Sequence, residues 1–244
     1  MDPVLLVSFF LIAMIYASVG FGGGTSYLAL MAVMAVPFES MRPAALLCNV
    51  VVVTGGTWIF YREGLLEIRH IWPFLVCSVP MAFLGGYYPI QEEAFFRLLG
   101  VTLVLAAIAL WYYDRFRQGG VAVPYSRAAG AAVGGAIGFL SGLVSIGGGI
   151  FLSPILHFLR WEDARRISAL ASAFILVNSL SGLAGQVFRS ASLDWPLILP
   201  LMAAVFIGGQ VGSRWGARKF QPWHIRKVTA FLIFVAGLNI LFNH

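Results

Sequence analysis

Charge is scarce in this chain and missing from most of its length. Asp, Glu, Lys and Arg make up 11% of the 244 residues. All of them fall outside eight windows: 3–38, 43–61, 71–91, 98–113, 128–159, 167–188, 195–213 and 228–243. With 60% hydrophobic residues and a mean hydropathy of +0.88, a soluble domain is excluded, because its interior could not hide that much apolar surface. Short alternating strands are also missing, so a transmembrane β-barrel is excluded. What remains is an all-α integral membrane protein, since helices satisfy their own backbone in lipid.

Other absences narrow the chemistry. There are two cysteines, Cys48 and Cys77, both in apolar windows. They read as buried free thiols without a metal or redox role. No His, Cys, Asp or Glu cluster has metal-ligand spacing, and the glycine run at 20–24 leads into no Lys-Ser/Thr pair. Neither a cofactor nor a membrane-enzyme chemistry is indicated. No Asp or Glu lies inside any window, which argues against an intramembrane carboxylate relay. The N-terminus carries Asp2 and no basic stretch, so 1–18 reads as a permanent helix rather than a cleaved leader. The net charge of +6 would suggest nucleic acid in a soluble protein. Here the basic residues border the windows, so membrane topology explains them and no nucleic-acid partner is expected.

Against these absences stand two windows of awkward length. Residues 3–38 number 36 and residues 128–159 number 32. One span takes about 20 apolar residues, and two with a turn take roughly 40. Each window fits one full helix and a shorter one, and each holds a glycine triplet: Gly22-Gly23-Gly24 and Gly147-Gly148-Gly149. Helices broken at matching places in two halves point to a transporter's substrate site.

If each long window enters and returns, the linkers 62–70, 114–127, 160–166 and 214–227 share one side and carry 13 of the 16 basic residues. Arg42, Arg97 and Arg189 remain for the other side. The positive-inside rule favours this arrangement, with both termini outside and the linker at 114–127 cytoplasmic. The halves, 1–113 and 128–244, then enter the membrane from opposite faces. They also match in order: the triplets at an offset of 125, Trp72-Pro73 with Trp195-Pro196, Gly85-Gly86 with Gly208-Gly209, and Glu39…Arg42 with Glu162…Arg165. The expected fold is two inverted-topology repeats. Each has a glycine-broken helix hairpin or re-entrant segment followed by three transmembrane helices.

The triplet after a first helix in each half, the inverted duplication, the short loops and the length resemble the TauE/SafE family, also called sulfite exporters or toluene-sulfonate permeases. The resemblance covers essentially the whole chain. It implies a multi-pass secondary transporter of the bacterial inner (plasma) membrane, working by alternating access. The implied cargo is a small sulfur-containing anion such as sulfite, sulfoacetate or another organosulfonate, moved outward. An anion channel built on the same site stays open as an alternative.

The residues suit an anion on physical grounds too. A helix restarting at Thr25 or Ile150 has unpaired first-turn N–H groups and the positive end of its dipole there. Glycines ahead of it let a ligand approach the backbone, so a sulfonate or carboxylate can be held without a full positive charge. The candidate binding residues are Gly22, Gly23, Gly24 and Thr25 at one break and Gly147, Gly148, Gly149 and Ile150 at the other. The polar residues Asn49, Thr54, Ser172 and Asn178 join them, with Gln186 a further pathway residue. Interhelical hydrogen bonding is the ordinary alternative for each polar residue, and the run Gly130, Gly134, Gly138, Gly142 is assigned to helix packing. Coupling stays open among protonation of the substrate, a proton at an edge residue, sodium held by carbonyls, and no ion. The partners expected are the anion and membrane lipid, and the oligomeric state is not legible.

Overall fold

A computed structural model of the chain describes residues 2–18, 20–66, 68–112, 126–159, 161–216, 230–231, 234–235 and 237–242. The cytoplasmic linker expected at 114–127 falls outside these up to residue 125, as do Arg160, Arg218, Lys219, Arg226 and Lys227 of the topology argument. In chain order the helices are α1 (Pro3–Ala17), α2 (Gly24–Val33), α3 (Phe38–Arg62), α4 (Ile68–Tyr87), α5 (Glu92–Trp111), α6 (Arg127–Val144), α7 (Gly149–Phe158), α8 (Ala164–Phe188) and α9 (Trp195–Gly216). The described residues beyond 230 are helical as well.

Local chemistry sets several starts. The Asp2 carboxylate accepts from Val4 N at 2.8 Å, and Pro3 fills the first helical position of α1, where no amide hydrogen is needed. Asp163 caps α8 by accepting from the amides of Arg165 and Arg166. Glu92 and Glu93 occupy the first turn of α5, where the helix dipole favours negative charge.

Both long windows break where the glycines stand. α2 begins at Gly24 behind Gly23 (φ 90°), and α7 begins at Gly149 behind Gly148 (φ 80°). Those left-handed conformations are open to glycine at little cost. The chain doubles back at the first break. Tyr27, in the first turn of α2, stacks on Phe9 in the middle of α1 with ring centroids 4.6 Å apart. At ten residues each, α2 and α7 are about 15 Å long, half of a hydrocarbon core of about 30 Å.

Four helices among the described residues are long and apolar enough to cross a membrane: Phe38–Arg62, Arg127–Val144, Arg165–Phe188 and Trp195–Arg214. The distribution of polarity fits that environment. Val4, Val7 and Leu11 on α1, and Leu199, Phe206 and Ile207 on α9, are exposed, while Thr25, Asn49, Ser172, Asn178 and Ser179 are buried. Cys48 is a buried free thiol as expected, but Cys77 is only half-buried.

α1 lies on α9, and α6 lies on α4. α3 and α8 pack on each other at the centre, and each also packs on the other half's fourth helix, α9 and α4 respectively. α2 sits on α3 as α7 sits on α8. Exchanging the halves maps this set of pairings onto itself. α3 and α8, which hold the same place in each half, run antiparallel. Glu63 at the end of α3 pairs with Arg165 at the start of α8 at 2.8 Å, and the Thr57 and Ser172 hydroxyls meet at 3.0 Å. Close seating uses glycine. A Cβ on Gly134, Gly138 or Gly142 of α6 would strike the backbone of Phe74, Ser78 or Ala82 of α4, so that run does serve packing.

Candidate functional site

The two glycine breaks meet inside the molecule, and Asn49 stands between them. Its amide nitrogen donates to the carbonyl oxygen of Ile146 in the second break at 3.1 Å. A Cβ added to Gly22 or Gly24 of the first break would run into the same amide. One added to Gly147 would stand 3.2 Å from its nitrogen. The breaks also touch directly, since a Cβ on Gly24 would lie 2.9 Å from the Ile146 oxygen. Side chains are excluded here because two backbones and an amide already fill the space.

The meeting point is at half-height. Asn49 is the twelfth of 25 residues in α3, and Ile175 the twelfth of 25 in α8. Ile175 lies within contact range of Gly22, Gly147 and Gly149. Tyr16, Phe21, the first triplet, Thr25, Ile146, Ile150 and Ile175 enclose a cavity of about 10 Å³. That volume suits one water molecule. A sulfur oxoanion needs its walls to part.

Several buried polar atoms around the breaks have no hydrogen-bond partner. They include Asn49 Oδ1, the Tyr27 and Ser179 hydroxyls and Ser141 Oγ. Each is close to a triplet. The Tyr27 hydroxyl would be 3.0 Å from a Cβ on Gly23, Ser179 Oγ 2.9 Å from one on Gly147, and Ser141 Cβ 3.1 Å from one on Gly148. Unpartnered groups of this kind are costly in a dry interior. With the first-turn amides of α2 and α7, the three hydroxyls supply neutral donors and no fixed cation, while Asn49 Oδ1 can only accept. The Tyr16 hydroxyl, 2.8 Å from Ser26 and 3.4 Å from Thr25, ties the end of α1 to the start of α2.

The remaining candidates are distributed unevenly. Thr25 and Ile150 line the small cavity. Ser172 is buried but bonds to Thr57 and to the carbonyl of Val53. Asn178 is buried and donates to Phe174 O in its own helix at 2.8 Å, leaving its Oδ1 unpartnered. Thr54 is not brought to the breaks. It is exposed and donates to Val50 O one turn back. Sequence reasoning passed over Ile175, an apolar residue without a chemical flag, and Ser141, hidden in a glycine-rich packing helix. Among the described residues no group of His, Cys, Asp and Glu could hold a metal.

The family described as sulfite exporter TauE/SafE matches residues 5–240. The chain is similar to "Probable membrane transporter protein y4hK" of Sinorhizobium fredii, 32% identical over 97% of this chain and 97% of that protein. It is also similar to "Probable membrane transporter protein YunE" of Bacillus subtilis, 24% identical over 100% of this chain and 98% of that one. A more partial likeness, 25% identical over 66% of this chain and 67% of the other, is to a protein of Christiangramia forsetii named "Undecaprenyl-diphosphatase". No solved structure matches.

Proposed function

The chain belongs to the TauE/SafE family of membrane transporters, and on that footing we propose that it is a secondary transporter seating a small sulfur-containing anion between its two glycine breaks. The cargo class is sulfite, sulfoacetate or another organosulfonate, and the direction is outward across the bacterial inner membrane. The observation that carries this reading is the meeting of the two breaks at Asn49, through Gly22 and Gly24 of the first and Ile146 and Gly147 of the second, at the mid-height of α3 and α8. Two half-helices then aim the positive ends of their dipoles at one place. The anion is held by amides and hydroxyls and not by a lysine or arginine, so it can leave again.

The antiparallel pairing of α3 with α8 supports an inverted duplication, and such repeats rock about a central site in alternating access. α2 and α7, too short to cross, favour the re-entrant form of each broken segment. A cavity of about 10 Å³ at the seat does not form an open pore there. The names of the two relatives matched over the whole chain favour transport, against the enzyme name of the partial match.

The test is exchange in proteoliposomes. Vesicles preloaded with unlabelled sulfite, sulfoacetate, taurine or acetate are given the radiolabelled anion outside. The proposal expects saturable counterflow for sulfite or a sulfonate and none for acetate. Ohmic single-channel current without counterflow would replace the carrier with a pore, and silence toward every sulfur anion would refute the cargo class.

A further inference from the structure

A second cavity, of about 290 Å³, opens at the end of the molecule away from the Glu63–Arg165 pair, where the start of α3 meets the end of α8. Phe38, Glu39, Arg42, Gln186, Arg189 and Ser190 are among its lining residues. We infer that it is a separate, shallower anion site, in which Arg42 and Arg189 receive a sulfur oxoanion on its way between solvent and the glycine breaks. The route it serves rests on the transport reading above. The binding site itself does not.

Arg42 is the unusual group. It is 7% exposed, yet no carboxylate pairs with it among the described residues. Its guanidinium lies 5.5 Å from the ring centres of both Phe38 and Phe95, and one terminal nitrogen donates to Leu143 O at 3.2 Å. That carbonyl belongs to the last turn of α6, where the helix dipole favours a cation. Nε has no partner. A buried guanidinium with spare donors is costly unless something anionic meets it. Arg189, exposed at the end of α8, brings a second positive charge to the same cavity. An oxoanion between them would relieve their repulsion and match the planar fork of each guanidinium. Glu39 also lines the cavity; it is exposed, as Arg189 is, so solvent screens both and the buried Arg42 is the main charge of the site.

The cavity is joined to the breaks by one face of each central helix. Arg42 and Asn49 are seven residues apart on α3, so they share a face about 10 Å apart along the axis. On α8, Ile175, Ser179 and Gln186 share a face in the same way. Gln186, buried at the floor, bonds Ser145 at 2.8 Å, and its other amide atom has no partner. Ser145 is the left-handed residue (φ 63°) that ends α6 at the second break. An anion in the cavity is thus separated from the seat by a glutamine–serine pair.

Equilibrium binding of radiolabelled sulfite and sulfate to the purified full-length protein tests this. Arg42→Gln and Arg189→Gln are each expected to weaken binding by about tenfold, and Arg42→Lys by less. Gly148→Val, which strains the second break at a φ of 80°, is expected to retain binding at the cavity. Unchanged affinity in both glutamine variants, loss of all binding in Gly148→Val, or no binding of either anion by the wild type would each overturn the inference. If Arg42→Gln does not fold for want of the bond to Leu143, Arg189→Gln carries the test, because the exposed Arg189 side chain holds no helix to another among the described residues. Arginine variants that bind normally while Gly148→Val stops exchange would refute this site and leave the glycine-break reading standing. Arginine variants that lose binding while Gly148→Val exchanges normally would do the reverse.

Discussion

An amide buried among helices is expensive to leave unpaired, and half of the Asn49 amide is held by Ile146 while the other half has no partner. Asn49→Ala should therefore reduce sulfite exchange by about tenfold, while the loss of one interhelical bond costs only about 1 kcal/mol of stability. Flux and thermal midpoint measured on the same preparation check both halves of that expectation. Gly23 allows a cleaner separation of conformation from space. Gly23→Ala meets both a φ of 90° and the Tyr27 ring at 2.9 Å, whereas Gly64→Ala meets a φ of 70° and open space. Gly64→Ala should cost about 1 kcal/mol and Gly23→Ala about 1–3 kcal/mol more, read from the difference in their melting temperatures. The glycines and Asn49 were legible because each breaks a pattern, a triplet in an overlong window or an amide in an apolar one. Thr54 shows where that reasoning runs out. It carries the same flag, but five residues turn it about 140° from Asn49 around α3, and it faces away. Arg42 was misjudged the other way. Lying in a charged linker, it counted as a topology marker, and only the fold shows it buried.

At the scale of elements, the half-length helices were readable from window length alone, because a 36-residue apolar run has too few residues for two spans. Their tertiary contacts were not readable. The chain's own pattern gives the period of the α6 glycines but not the partner, which is α4 through Phe74, Ser78 and Ala82 at the same four-residue spacing. Gly138→Leu would drive a side chain into the Ser78 backbone and force the two helices apart. Overpacking of this kind costs about 1–3 kcal/mol or more. The expected result is a fall in melting temperature and loss of the monodisperse peak on size exclusion. An unchanged profile would mean that α4 and α6 do not seat on each other as described.

For the whole molecule, the arginine asymmetry predicts which face is cytoplasmic. Glu63, Arg165 and Arg166 lie at one end of the α3–α8 pair, which the positive-inside rule makes cytoplasmic, and the Arg42–Arg189 cavity lies at the other. In a cysteine-free background with Cys48 and Cys77 replaced, Ser192→Cys should react with a membrane-impermeant thiol reagent added outside cells, and Gly64→Cys should react only after the membrane is opened. Labelling in the opposite order would invert the topology without touching the seat. Four matches in order suggest a duplication, but the meeting of both breaks at one amide needed α3 and α8 to be seen antiparallel. That convergence is tested most directly by counterflow of radiolabelled sulfite through wild type, Gly23→Val and Gly148→Val reconstituted side by side. If the anion sits between the two breaks, distorting either one stops exchange while much of each protein still inserts. Exchange at the wild-type rate in either variant would contradict the account.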